Sequence, residues 1–205
     1  GRVEVGLGAG WHEDEHRRYG IDLPEPAERV DRFEEAVEMI SLLMAQERTT
    51  FTGKYYRLDD APLEPRPVQQ PRIPILIAAK RPRMLELTAR HADAWNLAWF
   101  GAPDERLATA RVDLAAACAA VGRDPTTLEI TVGVNVRYDD LLPPAVDGSP
   151  TAAGTTPAIS GSADEVAAGL AAHAALGATH LIVALEPTTP AAVRRLAVAA
   201  TLFRD

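Results

Sequence analysis

The chain is short of several things at once, and each shortage removes a class of protein. It has one cysteine, Cys118, so an internal disulfide and a cysteine-rich zinc site are both excluded. Cys118 lies in the small-residue run 115–120 and reads as a core residue, which suits a reducing cytoplasm. Basic charge is short as well. Twenty-one Lys and Arg against 29 Asp and Glu leave a net charge of −8, whereas a nucleic-acid partner demands a basic stripe. Lysine is nearly missing: Lys54 and Lys80 stand alone among the basic residues, a bias typical of high-GC coding. No run approaches the roughly 18 apolar residues of a membrane span. The first ten residues, with Arg2 and Glu4 among them, lack the apolar segment of a signal peptide.

What is present is ordinary for a globular protein: 47% hydrophobic and 24% charged residues in a length of 205. That length suits one domain or two small ones and is short of the roughly 250 residues of a full (β/α)8 barrel. The chain opens at Gly1 instead of Met, and its first residues already read as a strand, so we expect an incomplete or trimmed chain.

Residues 3–7 are β-rich and run into Gly6, Gly8 and Gly10, a strand followed by a tight turn. Over 26–46, Val30, Phe33, Val37, Ile40 and Met44 recur at spacings of three and four and predict an amphipathic helix. Residues 51–56 predict a short hairpin, and Pro62, Pro65, Pro67, Pro71 and Pro74 force an irregular connection after it. Residues 73–79 form a continuous apolar run, typical of a strand buried on both faces. Pro82 suits a first helical position. A strand at 94–97, a helix from 103 to Gly122 and an alternating strand at 128–136 follow. Residues 139–161, rich in Pro, Gly, Ser and Thr, predict a mobile loop and a candidate lid. Ser162 and Glu165 make a capping-box pattern, 180–185 a buried strand, and Thr189-Pro190 begins the last helix. This alternation predicts one α/β domain over 1–205, with a parallel sheet and right-handed crossovers.

Three patterns bear on chemistry. His12-Glu13-Asp14-Glu15-His16 matches H-E-x-x-H, in which two histidines one turn apart bind zinc and the glutamate activates water. A zincin helix packs an apolar face around that motif, and this stretch has almost none, so it reads as a polar loop or exposed first turn. Zinc hydrolysis through His12, Glu13 and His16 is kept as an alternative. Gly6-x-Gly8-x-Gly10 falls short of a dinucleotide fingerprint, because Trp11 stands where a third glycine is required. The glycines still allow a ligand or another backbone to approach the strand end. Lys80-Arg81-Pro82-Arg83 sits between a buried strand and a helix start, where free amides and basic side chains suit a phosphate. Solvated loop charge is the plain alternative. Trp95 reads as core, Asn96 as a strand-end residue able to face a site, and His91, His173 and His180 as surface or satisfied core residues.

In order, three stretches resemble the luciferase-like monooxygenase superfamily of flavin- and deazaflavin-dependent oxidoreductases. They are 6–11 with Glu15 and the helix after it; 73–79 with Met84-Leu85 and 92–96; and 161–166 leading to Gly177 and 180–183. The resemblance implies a TIM barrel, of which this chain holds the last five of eight βα units. It implies an oxidoreductase that transfers a hydride between coenzyme F420 and a small organic substrate, with an FMN-dependent monooxygenase as the runner-up and a non-catalytic partial barrel as a third reading. It further implies that the coenzyme contacts Ala9 and Gly10, with a polar contact near Asp14, and that its phosphate sits on Lys80, Arg81, Arg83 and Met84. Many relatives have glycines at positions 80 and 81. Where the deazaflavin dehydrogenases carry an acid this chain has Trp11, so no catalytic acid is assigned and no metal is expected. A cytoplasmic homo-oligomer is expected, since exposed sheet edges favour association.

Overall fold

The structure, a computed structural model, describes residues 1–143 and 156–204. It divides into two compact units, Gly1–Trp95 with Asp113–Leu128 and Asn96–Val112 with Glu129–Asp205. A five-stranded sheet has the order β1-β4-β5-β6-β7, and a separate hairpin is made of β2 and β3.

The first unit holds β1 (Val5–Leu7), α1 (Glu13–Tyr19), α2 (Pro26–Ala45), β2 (Arg48–Thr52), β3 (Arg57–Pro62), β4 (Ile75–Ala78) and α3 (Pro82–His91). Strands β1 and β4 pair in parallel, Val5 with Ile75 and Leu7 with Ile77, so their C-terminal ends lie side by side. The apolar run predicted at 73–79 becomes a strand only from Ile75. Before it, the Pro74 carbonyl accepts from the Val5 amide at 2.9 Å. Ile75 and Ile77 are fully buried. Helix α2 has the predicted limits and buries Phe33, Val37 and Met44. The hairpin is longer than the expected 51–56. The Glu35 carboxylate of α2 holds its turn, accepting from the amides of Lys54 and Tyr55 at 2.8 Å and of Tyr56 at 3.2 Å. Arg123 ties the end of α3 by donating to the carbonyls of Ala89 at 3.1 Å and Ala92 at 2.7 Å. Cys118 is buried, as its neighbours predict.

Strand β5 (Ala94–Phe100) and helix α4 (Glu105–Ala120) contribute residues to both units. The second unit adds β6 (Glu129–Arg137), α5 (Ala163–Ala175), β7 (His180–Glu186) and α6 (Pro190–Arg204). Strands β6 and β7 pair in parallel from Thr131 with His180 to Arg137 with Glu186. Val132, Val134 and Val136 are fully buried, and their neighbours Thr131 and Gly133 are buried too, so β6 is covered on both faces and its alternation separates valine from small or polar residues. The capping box forms: the Glu165 amide donates to Ser162 Oγ at 3.3 Å and the Ser162 amide to Glu165 Oε2 at 2.7 Å. His173 is a core residue but only half satisfied. Its Nε2 bonds the Gly101 carbonyl at 2.9 Å while Nδ1 is buried without a partner among the described residues. Within the segment expected as a loop, Asp139–Leu141 form a 3-10 turn and Ile159 bridges Val136. Residues 144–155 lie outside the described residues.

Candidate functional site

A parallel strand delivers its last residues to one edge of the sheet, and the connection that follows is free to bind. The register of β1 with β4 puts Gly8, Ala9 and Gly10 next to the connection 79–81. Each side of this juncture has its own reason for its shape.

On the β1 side, a Cβ at Gly8 would meet nothing within 4 Å, so the backbone stands open there. Gly10 has φ +80°, a conformation that costs any other L residue, and a Cβ there would lie 3.4 Å from the His16 ring. Helix α1 then starts at His12, whose Nδ1 accepts from the Glu15 amide at 3.1 Å. His16 uses Nδ1 to donate to the His12 carbonyl at 2.9 Å. These bonds correct the zinc reading. His12 caps the helix instead of riding on its face, so the two rings serve the helix start. Among the described residues no group of three metal-ligating side chains occurs. Asp14 sits in the exposed first turn of α1 and pairs with Arg17 at 2.8 Å.

On the β4 side, Trp95 is fully buried and its Nε1 donates to the Ala79 carbonyl at 2.9 Å, fixing the strand end. Arg81 is the N-cap of α3 and gives no side-chain cap bond. The first intrahelical bond runs from Leu85 to the Arg81 carbonyl. Pro82 has no N–H, which leaves the amides of Arg83 and Met84 as the open donors of this turn. Lys80 and Arg81 are exposed. The Arg83 guanidinium turns to α2, pairing with Asp31 at 2.6 Å and Glu34 at 3.0 Å, and these carboxylates hold it even more firmly protonated than usual. The Met84 side chain is buried in the core. The structure therefore brings together Ala9, Gly10, Lys80, Arg81 and the backbone of Arg83 and Met84, while Asp14 and the Arg83 guanidinium are already engaged with protein charges.

A cleft of about 400 Å³ lies behind the glycine turn, lined by Gly8, Ala9, His16, Asp22, Arg29 and Tyr56 among others. Arg29 is a residue that sequence reasoning passes over. From α2 its Nη1 donates to the Gly10 carbonyl at 2.8 Å, across 19 positions of sequence. No spacing rule signals a contact of that range.

The model of the luciferase-like monooxygenases matches residues 1–141. An F420-dependent hydroxymycolic acid dehydrogenase of Mycobacterium tuberculosis is 38% identical over 128 residues, covering 62% of this chain and 34% of the relative. An F420-dependent glucose-6-phosphate dehydrogenase of Kineococcus radiotolerans is 33% identical over 140 residues, 68% of this chain and 41% of the relative. The match thus spans 34% and 41% of the length of these relatives, less than half of each. An F420-dependent secondary alcohol dehydrogenase, solved with an F420-acetone adduct, superposes on the whole chain with a TM-score of 0.78. The match covers 71% of that protein at 19% identity, a likeness of fold. That fold is the (β/α)8 barrel, present here in part, as the sequence led us to expect. With more than half its length matched by the family model, the chain belongs to the luciferase-like monooxygenases.

Proposed function

We propose that this chain carries the coenzyme site of an F420-dependent oxidoreductase acting on a small organic substrate. The observation that carries the reading is the start of α3. It has no side-chain cap and no acidic residue in its first turn, it is flanked by exposed Lys80 and Arg81, and it adjoins an open glycine turn. Such a helix end is poor for stability and well made for a phosphate. The similarity to F420-dependent relatives supports the choice of coenzyme.

The donor set fits the group. Lys80 and Arg81 would meet its phosphate with charge, and Arg83 and Met84 with their backbone amides. Ala9 and Gly10 would hold its ring end, where the open space at Gly8 admits a planar system, and Asp14 would join them only by giving up its pairing with Arg17. When bound, a deazaflavin supplies two-electron hydride chemistry. The chain's own part is to bind, orient and exclude water. Trp11 has no acidic proton to give, so none is assigned to it. We also take the protein to be a cytoplasmic homo-oligomer; β1 and β7 end the sheet, and such edges favour self-association.

Titration of the purified chain with F420 and, separately, with FMN tests the reading through coenzyme fluorescence. Saturable binding of F420 is expected. Preference for FMN would move the reading to a flavin monooxygenase, and binding of neither would overturn it.

A further inference from the structure

Arg29 makes an unusual commitment. Arg17, Arg32 and Arg83 of the same unit each pair with carboxylates, at 2.6–3.0 Å. Arg29 instead places Nη1 on a single carbonyl, that of Gly10, at 2.8 Å, and its Nε is buried with no acceptor. Asp22 lines the same cleft but forms no ion pair with it among the described residues. A cation on a carbonyl oxygen does two things to the peptide unit. It fixes the plane, and it draws electron density from nitrogen to oxygen, which makes the N–H of that unit a stronger donor. The N–H belongs to Trp11. It has no hydrogen-bond acceptor among the described residues, and it follows the C-terminal end of β1 directly after Gly10, which turns the chain at φ +80°. Trp11 is 78% exposed, between the exposed Gly10 and the half-buried His12.

We propose that Arg29 is a positioning residue that fixes and polarises the Gly10–Trp11 peptide, making the Trp11 amide a hydrogen-bond donor to an electron-rich atom of the bound coenzyme. This rests on the reading of the site as a coenzyme site. The His16 ring supports the same turn from the other side, 3.4 Å from the place of a Gly10 Cβ.

The experiment uses Arg29→Met, Arg29→Lys and, as a control, Arg123→Met. Arg123 also ties down backbone carbonyls of the first unit, at Ala89 and Ala92, away from the glycine turn. The first readout needs no coenzyme: the Trp11 amide proton in a ¹H–¹⁵N spectrum moves upfield in Arg29→Met, less so in Arg29→Lys, and stays in place in Arg123→Met. The second is the F420 dissociation constant by fluorescence, with the absorption maximum of bound F420 read alongside. Loss of a charge-assisted contact behind the donor weakens binding about tenfold in Arg29→Met, with partial rescue by Arg29→Lys and none of this in Arg123→Met. A Trp11 amide indifferent to Arg29, or an unchanged dissociation constant and absorption maximum, overturns the proposal. If Arg29→Met fails to fold, Arg29→Lys against Arg123→Met carries the same comparison. Failure of the wild-type chain to bind F420 defeats the coenzyme reading, and is told apart by an amide shift that persists without ligand.

Discussion

Two helix starts in this molecule obey opposite rules. Helix α5 opens with Ser162 and Glu165 bonding each other's backbone, and with Asp164 and Glu165 in its first turn. Every device that satisfies open amides and complements the helix dipole is in use there. Helix α3 opens on Arg81, which caps nothing, and its first turn holds no acid and a basic Arg83. The pairing of Arg83 with Asp31 and Glu34 relieves part of that charge. One end is closed by its own side chains; the other keeps its donors and its positive field. Helix α2 also starts without a side-chain cap, but Glu28 stands in its first turn, so the start of α3 differs by pairing a missing cap with a missing acid, the arrangement on which the proposed phosphate site rests.

The sharpest way to break the contrast is to give α3 the cap it lacks. Arg81 has φ −106° and ψ 150°, the extended backbone of an N-cap, so aspartate can take its place without rearrangement. Arg81→Asp removes a cation and puts a carboxylate where a phosphate would bind. We expect F420 affinity to fall about 100-fold, from loss of a charge-assisted bond of roughly 1.5–3 kcal/mol plus repulsion. The same substitution should raise unfolding free energy by about 1 kcal/mol, measured by urea denaturation. Affinity and stability moving in opposite directions is the diagnostic result; a variant that loses both would mark Arg81 as structural.

Both helix starts were visible in the sequence, for local reasons. A serine and a glutamate three apart need no tertiary knowledge to form a capping box, and Pro82 announces a first turn by its fixed φ. Strand β6 was legible for the same reason, since Ile130, Val132, Val134 and Val136 alternate. The strand expected to be buried at 180–185 forms as β7 with only exposed and half-buried residues, because an apolar run reports a strand and not what covers it. Long-range commitments were not legible. That Arg83 turns to Asp31 and Glu34, about 50 positions away, is set by how α2 lies against α3, and no pattern near Arg83 encodes it. Arg29 reaching Gly10 is the same kind of contact. His12 and His16 match a metal-binding spacing, but the missing apolar face already favoured an exposed first turn, and the cap at His12 agrees with that reading.

Stripping the cap from α5 is the converse experiment and has a smaller effect. Ser162→Ala leaves the Glu165 amide without its acceptor and should cost about 1 kcal/mol. For a chain of this size that is a fall of about 2–4 °C in Tm. F420 affinity should not change. A change would mean that the closed helix start also serves the ligand, and the contrast with α3 would collapse.

The smallest effect separates the two ends by pH. The Ser162 amide, and then its hydroxyl, hold the Glu165 carboxyl below its ordinary value of 4.5 against a weaker opposing push from burial. A folded-state pKa below the unfolded one means that the carboxylate stabilises the fold above pH 4.5, and that this support drains away as pH falls through the lower folded value. Glu165→Gln should therefore be less stable than wild type at pH 7 and converge with it in acid. The exposed position and solvent screening keep the gap small. Arg81→Asp should show the opposite signature. Wild-type α3 has no acid in its first turn to lose, so a new carboxylate at the cap adds stability at pH 7 that vanishes on acidification. Urea titrations of wild type, Glu165→Gln and Arg81→Asp from pH 3 to pH 7 read both curves together. If Arg81→Asp gains nothing at neutral pH, the amides of α3 are already satisfied within the chain, and the open helix start is not there to be filled.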